Sequence, residues 1–126
     1  MKILFSLILS VSLSFASDVL TDKKTNLMWQ DNSAAKYTQK DWQGALDFCE
    51  RLHLAGHSDW RLPSIKELEN VIALSKIREK LKDGFKNVAV PTYYWSSTAH
   101  DSSKEFAWIM NFTRGYEYSN YKTYER

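Results

Sequence analysis

The stretch Asp59-Trp60-Arg61-Leu62-Pro63-Ser64-Ile65-Lys66-Glu67-Leu68 is the most informative part of this chain. The residue before a proline avoids helical angles, so the backbone up to Pro63 is expected to be extended. Ser64 and Glu67 then fit the S-x-x-E capping box, in which each side chain accepts a hydrogen bond from the main chain of the other at a helix start. The stretch therefore predicts an extended segment followed by a helix. The apolar face of that helix consists of Ile65, Leu68, Val71 and Ile72.

The side chains of the extended segment have a structural interpretation. We expect Trp60 to anchor the core, Arg61 to pair with a carboxylate or with carbonyl oxygens, and Pro63 to set the direction in which the helix begins. The stretch Trp95-Ser96-Ser97-Thr98 has a similar pattern, a buried tryptophan followed by hydroxyl groups that bind main-chain atoms at the end of a strand. Both motifs are therefore interpreted as parts of the scaffold rather than of a ligand site.

An amphipathic helix is predicted on the N-terminal side of this stretch. Thr38 is expected to cap its start and Gly56 to stop it. Earlier still, Val19-Leu20 and Leu27-Met28-Trp29-Gln30 surround a polar stretch, which is typical of two short strands joined by a turn. The apolar residues of the helix recur at spacings of three and four, at Trp42, Ala45, Leu46, Cys49 and Leu52.

The C-terminal third has the pattern of strands. After a weaker helical stretch from Lys76 to Lys82, the segment from Tyr93 to Ser97 is rich in β-forming residues. Apolar residues then alternate from Glu105 to Thr113, Arg114-Gly115 supplies a turn, and Tyr116 to Tyr124 returns as a strand. Strands joined by tight turns are antiparallel, so the sequence predicts an α+β fold.

The first residues are typical of a secretory signal peptide. Met1-Lys2 supplies a positive charge and an uncharged apolar run follows it. The small residues Ser14 and Ala16 fit the cleavage pattern, so we expect cleavage after Ala16 and a single domain over residues 17–126. An apolar run of about 13 residues is shorter than the ~20 that span a bilayer, so no stable membrane insertion is expected after cleavage. The predicted location is periplasmic or secreted.

The composition excludes several functional classes. Seventeen Lys and Arg against 15 Asp and Glu give a formal charge of +2, too little for the basic surface of a nucleic-acid-binding protein. Four scattered glycines cannot form a phosphate-binding loop, and calcium-loop spacing is absent from the sequence. Glu50, His53 and His57 have a helical spacing that could hold a metal, but the expected stop at Gly56 separates His57 from the other two. We therefore expect no nucleic-acid partner, no cofactor and no metal.

Five stretches also match a known pattern: Asn26 to Asp31, Ala45 to Leu52, Leu54 to Leu68, Tyr94 to Thr98, and Trp108 to Gly115. In order and spacing they resemble the Lcl C-terminal domain family of exported bacterial proteins. The resemblance implies a C-type-lectin-like fold, in which two helices pack on a small, twisted, mainly antiparallel sheet. It also implies a link to adhesion and to sulfated polysaccharide, with which the namesake domain is associated. The motif residues that we expect to be structural are Trp29, Cys49, Trp60, Arg61, Pro63, Trp95, Ser96 and Trp108.

The end of the chain departs from the family pattern. The resemblance implies a last strand of the form V-R-C-V-R, whose cysteine would bridge to Cys49, whereas this chain ends at Tyr124-Glu125-Arg126 and has one cysteine. Either the chain is shortened and lacks its last strand, or this member does without the bridge. Two uses of Cys49 stay open, burial as a small apolar side chain and a disulfide with another chain. A nucleophilic role would need a neighbour that stabilises the thiolate.

Tyrosines and cations concentrate near the C-terminus. Tyrosine combines a flat apolar face with a polar tip, which suits stacking on sugars or protein interfaces, and nearby cations can meet sulfate or carboxylate groups. The same tyrosines could instead stabilise the sheet as cross-strand pairs. The candidate ligand-binding residues are Tyr93, Tyr94, Arg114, Tyr116, Tyr118, Tyr121 and Lys122.

Three hypotheses of function follow. The leading one is a non-enzymatic exported binding or adhesion module that recognises anionic polysaccharide or an envelope protein through the late loops and hairpin, residues 93–121. The second is a truncated family member with no independent activity. The third is an enzyme of the sulfatase-activating type, which shares the lectin-like architecture but needs reactive cysteines or bound metal. The single cysteine favours the first hypothesis over the third.

Overall fold

Two small antiparallel sheets and three helices make up the computed structural model, which describes residues 18–74, 85–88, 93–112 and 115–126. The leader over residues 1–16, the helical stretch predicted over 76–82, and Arg114 lie outside these described residues. The elements in chain order are β1 (Val19–Asp22), β2 (Leu27–Gln30), α1 (Ser33–Tyr37), α2 (Trp42–Arg51), α3 (Ile65–Leu74), β3 (Tyr93–Ala99), β4 (Phe106–Asn111) and β5 (Tyr116–Tyr121). The predicted α+β class is therefore confirmed.

The first hairpin forms as the sequence predicts. Strands β1 and β2 pair in an antiparallel register that matches Val19 with Gln30. In the turn, the Asp22 carboxylate accepts hydrogen bonds from the Lys24 N–H at 2.9 Å and from the Thr25 hydroxyl at 2.7 Å. Asn26 closes the turn in the left-handed region, with φ of 60°, a conformation that asparagine tolerates better than most residues.

The prediction that Thr38 caps the start of α2 was wrong. A short helix that the sequence did not reveal, α1, ends where Thr38 was expected to cap the next helix, and the Thr38 N–H donates to the Ala34 carbonyl at 3.0 Å. The cap of α2 is Asp41, whose carboxylate accepts from the Gly44 N–H at 2.8 Å. An aspartate in extended geometry satisfies the free N–H groups of a first turn as well as a threonine does.

The stop predicted at Gly56 was also wrong, because α2 ends at Arg51. The chain then makes a separate tight turn in which Leu54 and His57 exchange two main-chain hydrogen bonds of 3.0 Å each. Ala55 and Gly56 occupy the centre of this turn with φ of 53° and 78°. Gly56 is thus required for a positive φ, as the sequence suggested, but in a turn beyond the helix.

The capping box of α3 is confirmed. The Ser64 N–H donates to Glu67 Oε1 at 2.8 Å, and the Glu67 N–H donates to Ser64 Oγ at 3.1 Å. The helix begins at Ile65, and Leu68 and Val71 on its apolar face are buried. The extended segment before it joins the edge of the sheet, since the Ser97 N–H donates to the Pro63 carbonyl at 2.8 Å.

The second sheet has the strand order β3-β4-β5, with antiparallel pairing throughout. Residues that pair across strands share a face, so the register divides the sheet in two. Trp95, Ile109 and Tyr118 lie on the first face, and Tyr94, Met110 and Glu117 lie on the second. The central strand β4 is buried on both faces, at Ile109 and at Met110.

A helix covers each face of this sheet. On the first face, Trp95, Ala107 and Ile109 form the core, and Trp42 and Ala45 of α2 pack against it. On the second face, α3 contacts β3 and β4, and the neighbouring Glu117 side chain raises the pKa of Glu69 on this helix. Neither helix contacts β5 as extensively, so β5 remains an exposed edge strand. In the part of the chain that the structure describes, no helix has the length and apolar character needed to cross a bilayer.

Candidate functional site

The register separates the tyrosines that the sequence grouped as ligand-binding residues. Tyr93, Tyr116 and Tyr118 lie on the first face of the sheet, whereas Tyr94 and Tyr121 lie on the second. Tyr94 is half-buried beside Phe112, with 5.2 Å between ring centres, and so does not join an exposed group with Tyr116. The tyrosines exposed by 37% to 64% near the C-terminus are Tyr116, Tyr118, Tyr121 and Tyr124.

Ring contacts nevertheless connect the two faces around the edge of β5. The Tyr118 ring meets Tyr93 edge to face, at 5.7 Å between centres. The guanidinium carbon of Arg126 lies 5.6 Å from the centre of the Tyr93 ring and 5.7 Å from that of Tyr124. Tyr124 in turn lies 5.5 Å from Tyr121. We call this continuous set the tyrosine–arginine belt: Tyr118, Tyr93, Arg126, Tyr124 and Tyr121.

The sequence analysis did not identify Arg126 as a site residue. The position of Arg126 depends on pairing with a residue far away in the sequence, which no local sequence pattern indicates. The main chain of Arg126 exchanges two hydrogen bonds with Lys40, at 2.8 Å and 3.1 Å, although the two residues are far apart in sequence. This bridge holds the guanidinium group between the two tyrosine rings.

Lys122, which was a predicted site residue, is also fixed in place. Its ammonium group lies 4.2 Å from the centre of the Trp42 ring, a cation–π distance. Its main-chain oxygen accepts from the Trp42 N–H at 2.9 Å, and its N–H donates to the Glu105 carbonyl at 2.9 Å. Lys122 is therefore part of the surface next to the belt, with α2 as its support.

The structure places the motif residues within the scaffold. The Trp60 indole N–H donates to the Leu54 carbonyl at 3.2 Å, and Arg61 donates two hydrogen bonds, of 2.7 Å and 2.9 Å, to the carboxylate of Glu67. Those bonds, more than any other contact, lower the pKa of Glu67 to about 2. Pro63 lies between Arg61 and the start of α3.

The second motif is buried under α2. The Trp95 indole N–H donates to the Lys40 carbonyl at 3.0 Å, and the Ser96 hydroxyl donates to the Trp108 carbonyl at 2.8 Å. In return, the Trp42 indole N–H donates to the Ser96 carbonyl at 2.8 Å. Each polar atom named here has a partner, which is what a buried position requires.

Asp31 is a structural residue whose role sequence reasoning missed. Its carboxylate is buried and accepts from the Lys86 N–H at 2.9 Å and from the Asn87 N–H at 2.7 Å. Next to it, Trp29 contacts Phe85 edge to face at 6.3 Å. Its position at the end of the first family-like stretch was the signal in the sequence that could have identified Asp31. Its hydrogen bonds hold residues 85–88 against the first hairpin.

The histidines do not assemble a metal site. His57 lies beyond the end of α2, and its Nδ1 is 3.9 Å from the Asp59 carboxylate. His53 instead contacts the Arg51 carbonyl, 3.0 Å from its Nδ1. Among the described residues, no group of three or more His, Cys, Asp or Glu side chains is arranged to hold a metal ion.

Cys49 is half-buried on α2 and faces a cleft of about 540 Å³. Burial raises the pKa of its thiol to about 11. The thiol is therefore protonated at neutral pH, and a protonated thiol is a poor nucleophile. Cys49 thus behaves as part of the apolar lining of the cleft.

Comparison with protein-family models gives a match over most of the chain. The model of a protein family described as the Lcl C-terminal domain matches residues 18–126. No curated protein matches the chain.

Proposed function

The chain belongs to the Lcl C-terminal domain family, and from that premise we propose that it is an exported, non-enzymatic binding module that recognises anionic polysaccharide through the tyrosine–arginine belt. We propose for it the C-type-lectin-like fold that the family resemblance implies, with two helices on a mainly antiparallel sheet. The signal-like residues 1–16 support export to the periplasm or to the exterior of the cell.

The observation that carries this proposal is the position of Arg126 between the rings of Tyr93 and Tyr124. Arginine meets sulfate and carboxylate groups with two parallel hydrogen bonds, and tyrosine rings stack on the apolar faces of sugars. A half-buried ring and an exposed ring on either side of a fixed cation therefore match a polymer in which sugar rings alternate with anionic groups. Lys122 supplies a second positive charge beside the belt.

The raised pKa of Cys49 supports a non-enzymatic role over the sulfatase-activating alternative. That chemistry needs a reactive thiolate, whereas this thiol is protonated at neutral pH. The alternative of a truncated member without activity predicts that the belt binds nothing, and the experiment below separates it from our proposal.

The test is retention of the purified protein on a heparin column in a salt gradient, compared with a plain sulfopropyl column of similar charge density. We expect the protein to elute from heparin at higher salt than from the sulfopropyl resin. Arg126→Gln should weaken heparin affinity about tenfold, the usual effect of losing a charge-assisted hydrogen bond. Tyr118→Ala should lower retention on heparin without changing retention on the sulfopropyl resin.

The chain offers a matched control on α1. Lys36 lies 5.3 Å from the centre of the Tyr37 ring, so it forms a second cation–tyrosine pair, and Tyr37 is 72% exposed. Lys36→Gln and Tyr37→Ala should leave the difference between the two columns intact. No retention on heparin at low salt, or equal losses in the belt and control variants, would contradict the proposal.

An envelope protein that binds the same belt is a second candidate, favoured by the position of β5. This strand is at the edge of the described sheet, and an edge strand can pair with a strand from another chain. Pull-down of the wild-type protein from envelope extracts, with Tyr118→Ala as the paired sample, tests this alternative. A partner lost in the Tyr118→Ala sample, together with no heparin retention, would favour it.

A further inference from the structure

A cleft of about 540 Å³ lies between the β1–β2 hairpin, helix α2 and the segment from His57 to Pro63. Protein interiors seldom leave spaces larger than a water molecule, and small-molecule sites usually have volumes of about 300 to 1,000 Å³. The volume is therefore that of a ligand site. The large apolar side chains of its described wall include Trp29, Phe48, Leu52, Trp60, Leu62 and Trp95.

The wall offers a ligand mostly carbon surface. The indole N–H groups of Trp60 and Trp95 donate to carbonyl oxygens of the protein, so these polar atoms are already occupied. Cys49 contributes a neutral thiol, since burial raises its pKa to about 11. The body of a matching ligand is accordingly apolar.

The charges of the wall are not balanced. Arg61 and Glu67 neutralise each other through their paired hydrogen bonds, and the side chain of Asp59 is exposed to solvent. The Arg126 guanidinium group pairs with no acidic side chain in the described part of the chain; it donates to the Glu125 carbonyl at 3.4 Å, and its buried Nε makes no hydrogen bond there. The main-chain oxygen of Arg126 accepts from the Lys40 N–H at 3.1 Å, so the main chain of Lys40 holds Arg126 at this end of the cleft.

We propose that this cleft binds a soluble single-chain carboxylate of the fatty-acid type, with its acyl chain among the tryptophans and its carboxylate at Arg126. A carboxylate is the acceptor that a guanidinium group binds best, and it would meet the terminal nitrogens of Arg126 because the Nε is buried. An acyl chain supplies the apolar body. It has no polar groups, which would stay unpaired here because the indole N–H groups of the wall already have partners. This site shares Arg126 with the belt, so the cleft residue Cys49 and the belt residue Tyr118 are used below to distinguish the two sites.

The test compares laurate, dodecanol and dodecyltrimethylammonium, which share one chain and differ in head-group charge. Each is added below its micelle concentration, and binding is followed by tryptophan fluorescence and by the rate at which a maleimide labels Cys49. We expect laurate to bind at least tenfold more tightly than the other two probes, and to slow the labelling of Cys49 at least fivefold. Because Cys49 lines the cleft, its protection reports occupancy there and not on the belt.

Arg126→Gln tests the proposed carboxylate contact, and Tyr118→Ala separates this proposal from the previous one. Arg126→Gln should reduce laurate affinity about tenfold and leave dodecanol binding unchanged. Tyr118→Ala, which alters the belt but not the cleft, should bind laurate as the wild type does while losing heparin retention. The proposal is overturned if the cationic probe binds as tightly as laurate, or if laurate binds without protecting Cys49.

Discussion

Replacement of Glu67 by glutamine tests how the informative stretch of the sequence holds the fold. In the wild type, Glu67 Oε1 accepts from the Ser64 N–H and from one Arg61 nitrogen, and Oε2 accepts from the other. The amide oxygen of glutamine can keep the bond to Ser64, because S-x-x-Q also forms a capping box. Glu67→Gln therefore removes the ion pair while leaving the cap in place.

The expected loss can be worked out from the pKa. A carboxyl pKa that falls from 4.5 to about 2 would correspond to roughly 3 kcal/mol at neutral pH if none of it were screened. The side chain of Arg61 is 60% exposed, so solvent screens the pair and we expect about 1 kcal/mol. Glu67→Ala, which also loses the cap, should cost about 1 kcal/mol more.

The lowered pKa of Glu67 determines how the effect of Glu67→Gln on stability changes with pH. The pKa of Glu67 is lower in the folded protein than in the unfolded chain, so the ion pair stabilises the fold fully above about pH 4.5. This contribution is lost as the pH falls from 4.5 to about 2. The difference in unfolding free energy between the wild type and Glu67→Gln should therefore shrink over that range.

Urea denaturation followed by tryptophan fluorescence measures this difference at pH 7, pH 4 and pH 2.5. Glu50→Gln is the matched control. Glu50 is an exposed glutamate on helix α2, so this substitution makes the same chemical change away from the Arg61–Glu67 ion pair. The stability of this control should differ from that of the wild type by less than about 0.5 kcal/mol at pH 7. A Glu67→Gln deficit that stays constant with pH, or no deficit at pH 7, would refute the reasoning.

Further predictions concern four positions. Ala55 has a φ of 53°, so Ala55→Gly should stabilise the protein by about 0.5 kcal/mol. Gly56 has a φ of 78°, so Gly56→Ala should destabilise the protein by about 1 kcal/mol. Thermal unfolding measures both changes. Asp31→Asn should lower the free energy of unfolding by about 2 to 3 kcal/mol, as measured by urea denaturation. The reason is that the new amide NH₂ would face a main-chain N–H that donates to the carboxylate in the wild type. Native Cys49 should react with a thiol reagent about a hundredfold more slowly at pH 8 than in the urea-unfolded chain, and equal rates would show that its pKa is not raised.

Local patterns predicted the elements that depend on neighbouring residues. The first hairpin, the capping box of α3 and the antiparallel strands of the second sheet each rely on spacing or turn chemistry within a few residues. Helix α1 was missed because it is only five residues long, too short for apolar periodicity to appear. Its cap, Asn32, was the only local signal, since its side chain accepts from the Ala35 N–H at 3.1 Å.

The candidate site was predicted in part. Tyr93, Tyr118 and Tyr121 were identified from composition, but the division of the tyrosines between two faces depends on strand register. The position of Arg126 depends on its main-chain bridge to Lys40, a contact between distant parts of the chain. The cleft likewise combines the first hairpin, α2 and the segment after it, so no single stretch of sequence indicates it.

The most direct test of the central claim is a ¹H–¹⁵N NMR titration of the protein with a sulfated heparin oligosaccharide. The account predicts chemical-shift changes at Tyr93 and over residues 116–126 that disappear in Arg126→Gln. The amides of β2 and of α2 near Cys49 should stay unchanged. Changes centred on β2 and α2, or none at all at a saturating oligosaccharide concentration, would contradict the assignment of the belt as the binding surface.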